Sequence, residues 1–163
     1  MKRNLTIIEN YFEDLCTYHK KLRHGDNGKK AFYRLTGEES SALNTNAADK
    51  ALHIDGYSGR YQGQAELLSK PVNLTLKVLV KSEGNSEAQR EAAYITAEEI
   101  MDDLIAKISF DINASIDCFP LYNIDFTSIA FDRIGPEGQN SFGYRFVLPI
   151  RGDGPSYDSK NWM

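Results

Sequence analysis

From the N-terminus, Leu5, Ile8, Phe12, Leu15, His19 and Leu22 recur at intervals of three and four, and Ile7, Tyr11 and Tyr18 widen the same stripe. That spacing predicts an amphipathic helix over about residues 5 to 23. It ends before HGDNG, because Gly25, Asp26, Asn27 and Gly28 favour turns and left-handed backbone. KAFYRL then has the length and composition of a first strand. Residues 36 to 50 are small and polar without a clear period, which predicts an irregular connection. The glycines of ALHIDGYSGRYQGQAELL oppose a long helix and suggest an interrupted strand or hairpin.

The period is clearest in VNLTLKVLVK. Val72, Leu74, Leu76, Val78 and Val80 alternate with Asn73, Thr75, Lys77 and Lys81, the pattern of a strand with one buried face. Leu79 breaks the polar side, which fits burial under a helix or a subunit contact on the second face. After SEGNS the period returns to about three and a half. Ala93, Ala97, Ile100, Met101, Leu104, Ile105 and Ile108 define one side of a second helix, with Ser86 as its cap and Glu87 and Glu91 near the positive end of its dipole. LYNIDFTSIAFDRI and YRFVLPI, joined by GPEGQNSFG, then read as an antiparallel pair of strands. The order of elements predicts the α+β class: a mixed or mainly antiparallel sheet covered by two principal helices.

A chain of 163 residues is the size of one domain. Residues 1–150 are expected to form it and residues 151–163 a polar tail, with Tyr157 and Trp162 as potential anchors. The formal net charge of -4 discourages nonspecific attraction to nucleic acid or anionic membrane, so no specific nucleic-acid partner is expected. No apolar run approaches the roughly 20 residues of a membrane-crossing helix. Glu9, Glu13 and Asp14 interrupt what would be a secretory core, so synthesis in the cytoplasm is expected. Cys16 and Cys118 are then expected to be free thiols.

Candidate chemistry is sparse. His19 and His24 lack the HExxH spacing of a zinc helix, and His53 stands apart with Asp55, so hydrogen-bonded or surface roles are favoured over a metal site. Glu98, Glu99, Asp102 and Asp103 form an acidic helix face that reads as a solvated surface. GYSGRYQGQ places Arg60 among three glycines, as a candidate ligand or phosphate contact, with Tyr57 and Tyr61 beside it. It has neither the lysine of a P-loop nor GxGxxG spacing, and a β connection is the favoured reading. Asp132 and Arg133 before the proposed turn, and Arg145 beyond it, suggest charge pairing across a hairpin rather than a catalytic set. RGD at 151 to 153 is a three-letter coincidence. No catalytic residue, cofactor or metal is assigned.

The succession of two amphipathic helices, the VNLTLKVLV strand and the closing FDRIGPEGQNSFGYRFVLPI resembles bacteriophage tail-terminator and neck proteins, over about residues 5 to 150. Thr36 to Gln64 and the tail depart from the simplest form of that pattern. The resemblance implies a small α+β structural subunit, not an enzyme, that assembles as a ring at a tail end or head-tail junction of a phage or prophage. Its partners would be further copies and other phage structural proteins, and its destination the virion. The exposed edge is expected to be the final strand, with Phe142, Tyr144 and Phe146 as candidate interface residues whose alternative role is the core. A generic intracellular binding module is the alternative function, with a small hydrolase or metal-assisted enzyme behind it.

Overall fold

The computed structural model describes residues 5–35, 47–60, 62–63, 69–114, 124–138 and 140–151. The first helix, α1, runs Leu5–Tyr18 and buries Ile8, Phe12 and Cys16 on a stripe spaced by four. It stops short of the expected boundary near 23. The chain turns back instead, with the His24 amide donating to the Cys16 carbonyl at 3.0 Å and Arg23 in left-handed conformation at φ 48°. That reversal keeps Leu22 buried although it lies outside the helix, whereas Tyr18, expected on the apolar stripe, is 84% exposed.

β1 (Lys30–Tyr33) is the strand expected from KAFYRL. β2 (Ala47–Gly59) begins earlier than sequence period suggests, because Ala47 pairs with Lys30 of β1 and Lys50 with Val80. Cross-strand hydrogen bonding therefore recruits 47–50, which have little apolar alternation of their own. β3 (Val72–Lys81) coincides with VNLTLKVLVK, and its five alternating apolar residues are buried. α2 (Glu87–Ala114) buries six of the seven residues predicted for its inner side, Ile105 being partly buried. Its start is a reciprocal capping box: the Gln89 amide donates to Ser86 Oγ at 3.3 Å, and the Ser86 amide to Gln89 Oε1 at 3.2 Å.

β4 (Ala130–Glu137) and β5 (Ser141–Ile150) form the expected antiparallel pair, but their connection is shorter than GPEGQNSFG implied, and β4 starts later than LYNIDFTSIAFDRI implied because Phe126–Ser128 form a 3-10 turn capped by the Asp125 carboxylate. Gly143 lies inside β5 opposite Leu79, where the two main chains approach too closely for a side chain. The strand order is β1-β2-β3-β5-β4, with β1 parallel to β2 and the other neighbours antiparallel. The sheet is mixed, in an α+β fold. β5 is thus inserted between β3 and β4, which α2 connects.

Both helices cover one face. Ile8, Phe12 and Cys16 of α1 and Ala93 to Ile108 of α2 share one core with Phe32, Leu52, Leu76, Val78 and the inward residues of β5. Polar contacts tie α1 and the turn after it to α2: Tyr11 Oη donates to Asp111 Oδ2 at 2.9 Å, Lys21 Nζ to Glu99 Oε2 at 2.6 Å, and His19 Nε2 lies 3.3 Å from Asp103 Oδ2. Glu9 is buried at the rim, where its carboxylate accepts from the Leu35 amide at 3.1 Å and from Arg34 at 3.4 Å. A carboxylate survives such burial because its oxygens are hydrogen-bonded and charge-paired. The expected irregular segment at 36–46, Tyr61, Cys118 and the tail from 152 onward lie outside the described residues.

Candidate functional site

Cross-strand register separates the sheet into two chemically different faces. The covered face holds Phe142, Tyr144 and Phe146, which are 5%, 4% and 0% exposed and pair with Val80, Val78 and Leu76. These three side chains lie beneath α2 in the core. β5 itself is hydrogen-bonded on both sides, to β3 and to β4, so the final strand is not the free edge that the sequence suggested. Strand insertion is the reason: the chain returns from α2 to the outside position first and fills the inner position last.

The opposite face carries a line of charge. Lys77 Nζ lies 2.8 Å from Asp55 Oδ1 and 3.3 Å from Glu137 Oε2, and Arg145 Nε lies 3.8 Å from Asp55 Oδ2. His53 stacks on Tyr33 at 4.4 Å beside this line, and its Nε2 is buried without a hydrogen-bond partner among the described residues. Burial, helped by the Lys77 charge, holds the His53 pKa down to about 4, so the ring is neutral at pH 7. Leu79 is buried on this face between Ala51 and Gly143, two neighbours small enough to leave it room.

The two edge positions belong to β1 and β4. On β4, Ala130, Phe131, Asp132 and Arg133 are all exposed and Ile134 is half-buried. Among the described residues nothing pairs with the outer side of this strand, so its alternate amides and carbonyls point to solvent. Asp132 and Arg133 do not make the reciprocal hairpin pair, because adjacent strand residues face opposite sides of the sheet. Asp132 is opposite Arg145 in register, whereas Arg133 turns to the helix side. There its Nη1 and Nη2 donate to the Glu91 carboxylate at 3.2 and 3.0 Å, and Nε donates to Tyr144 Oη at 3.1 Å. The guanidinium also lies 4.7 Å from the Tyr94 ring centre. Hydrogen bonding to Glu91 raises the Arg133 pKa further above its already high value, so the charge is permanent. Arg133 therefore clamps the edge strand to α2.

Phe131 projects beside that clamp. Its ring meets Tyr144 edge-on at 6.0 Å, yet the residue is 54% exposed. Ile95 follows Tyr94 on α2 and is 52% exposed. An open backbone edge, an exposed aromatic residue and a fixed arginine thus come together on β4. Sequence reasoning singled out Asp132 and Arg133 but missed the strand's edge position. The available signal was two adjacent charges within an aromatic strand, followed by Gly135 and Pro136, a common composition for an edge.

The remaining candidates are dispersed. Arg60 is exposed just beyond β2, with its amide donating to the Pro71 carbonyl at 3.3 Å. Gly56 and Gly59 belong to the β2–β3 ladder, as a β connection requires. His24 Nδ1 accepts from the Ala31 and Phe32 amides at 3.0 and 3.2 Å, leaving Nε2 to carry the proton 3.5 Å from Glu13. In the acidic row of α2, Glu99 and Asp103 face Lys21 and His19 in the turn after α1, and Glu98 accepts from Tyr144 Oη at 3.3 Å. An open cleft of about 630 Å³ lies between β2, β3 and α2, where Asp49, Lys50, Lys81 and Glu83 mix both charge signs. No helix among the described residues is long and apolar enough to cross a membrane. No protein-family model, curated protein or solved structure matches the chain.

Proposed function

We propose that the protein is a structural subunit of a phage-derived tail terminator or neck ring. The observation that carries this reading is the β4 edge, a solvent-exposed strand clamped to the long helix by Arg133 rather than left to fray. A free strand edge invites pairing with another chain, and a rigid edge offers a defined geometry for it. The order of helices and strands that resembles tail-terminator and neck proteins supports the same reading. Its partners are further copies of the chain and other phage structural proteins, and its destination is the virion.

The function is mechanical on this account. A neighbouring strand would add hydrogen bonds along β4, while Phe131 supplies apolar contact beside them. The test is binding of the purified protein to reconstituted phage tail tubes or connector complexes, read by co-sedimentation and electron microscopy. Occupancy of a tube end or connector rim is the expected result. A protein that remains free in both mixtures would refute the reading.

A further inference from the structure

We infer that two copies of this chain join along β4, antiparallel and about a two-fold axis, with Phe131 of one copy opposite Phe131 of the other. The inference goes beyond the ring assignment: a two-fold pair closes on itself and occupies β4, so a ring would be built from such pairs through other surfaces. Its starting point is the extent of the free edge. Ile129 is already extended, and the ladder is interrupted between Ile134 and Glu137, where Pro136 has no amide hydrogen to give. The usable edge is therefore 129 to 134.

Symmetry then restricts the register. An antiparallel pair related by a two-fold axis continues the sheet without exchanging its faces, so each such register centres on one residue meeting itself. Centring on Asp132 sets two carboxylates directly opposite, and Arg145, the cross-strand neighbour of Asp132, has its Nε 3.8 Å from Asp55 instead. Centring on Arg133 sets two guanidinium groups opposite. Like charges in that position destabilise a strand pair. Centring on Ala130 avoids like charges but pairs only 129 to 131 within the usable edge. Centring on Phe131 pairs 129 to 133 and opposes no like charges: the two rings meet, Ala130 faces Asp132 of the second copy, and Ile129 faces Arg133. The 54% exposure of Phe131 is the area that such a contact would cover.

The experiment combines sedimentation with a cysteine scan. The average mass of the native protein should rise with concentration from 18.4 kDa towards twice that value, and Phe131→Asp should remove the rise at an unchanged melting temperature. In a Cys118→Ser background, Phe131→Cys should form a cross-linked dimer on mild oxidation, because directly opposed Cβ atoms come within reach of a disulfide. Cys16 is buried and does not compete. Asp132→Cys and Arg133→Cys should cross-link poorly. A native protein that stays monomeric throughout, an association indifferent to Phe131→Asp, or preferential cross-linking at 132 or 133 would overturn the proposal. Pairing without attachment to tail tubes or connectors would refute the ring assignment alone, and attachment without pairing would refute this contact alone.

Discussion

Gly143 occupies the narrowest point between β3 and β5, and Gly143→Ala tests whether the two strands are paired in the stated register. A Cβ at this position would fall inside the carbonyl oxygen of Val78, 2.9 Å from the Val78 carbonyl carbon and 3.2 Å from Leu79 Cα. The obstruction is main chain, so no rotamer change relieves it. β3 cannot withdraw without loosening a ladder that runs from Val72 opposite Ile150 to Lys81 opposite Ser141. Overpacking typically costs about 1–3 kcal/mol, and a backbone clash in a central ladder belongs at or above about 3 kcal/mol. For a domain of this size each kcal/mol lowers the melting temperature by roughly 2–4 °C, so the expected drop is about 6–12 °C or more. Thermal unfolding followed by circular dichroism measures it, with Gly56→Ala as a control for glycine replacement where the added Cβ meets only the Thr75 side chain, at an ordinary 3.5 Å. A drop below about 2 °C for Gly143→Ala would refute the β3–β5 register.

Leu104→Asp places a charge at a residue 1% exposed beneath the sheet, and a loss above about 4 kcal/mol in denaturant unfolding is expected. Retained stability would mean that this side of α2 is not in the core. Ser86→Ala removes half of the capping box and should cost about 1 kcal/mol, read as a small fall in the urea midpoint with an unchanged slope. The depressed pKa of His53 makes stability depend on pH. With about 4 in the folded protein and 6.5 unfolded, its contribution is complete above pH 6.5, falls as the pH drops, and is gone below 4. The total is on the order of 3 kcal/mol. His53→Gln should flatten the stability profile over that window, leaving a smaller slope from His19, whose pKa is also lowered by burial. An unchanged profile would contradict the burial of His53.

The parts of the fold legible in sequence are those in which a single element's pattern reports its own burial. Val72 to Val80 alternate because one side of β3 meets the helices, and Ala93 to Ile108 repeat because one side of α2 meets the sheet. Features set by contact between distant segments were not legible. Nothing local in Ala47 or Asp49 signals a strand, because pairing with β1 and β3 supplies the reason. Gly143 reads as part of a glycine-rich loop until β3 is known to pass beside it. The same limitation hid the edge. Phe142, Tyr144 and Phe146 are interface candidates that individually read better as core, and the insertion of β5 between β3 and β4 decides that they are covered. Nothing local marks Glu9 as buried, because its partners, Arg34 and the Leu35 amide, lie 25 and 26 residues away.

The proposed role in assembly is tested most directly by mixing the purified protein with reconstituted phage tail tubes and connector complexes and imaging the products by electron microscopy. The account predicts protein density confined to a tube end or connector rim. Tubes and connectors that remain bare, with all of the protein left in solution, would contradict it.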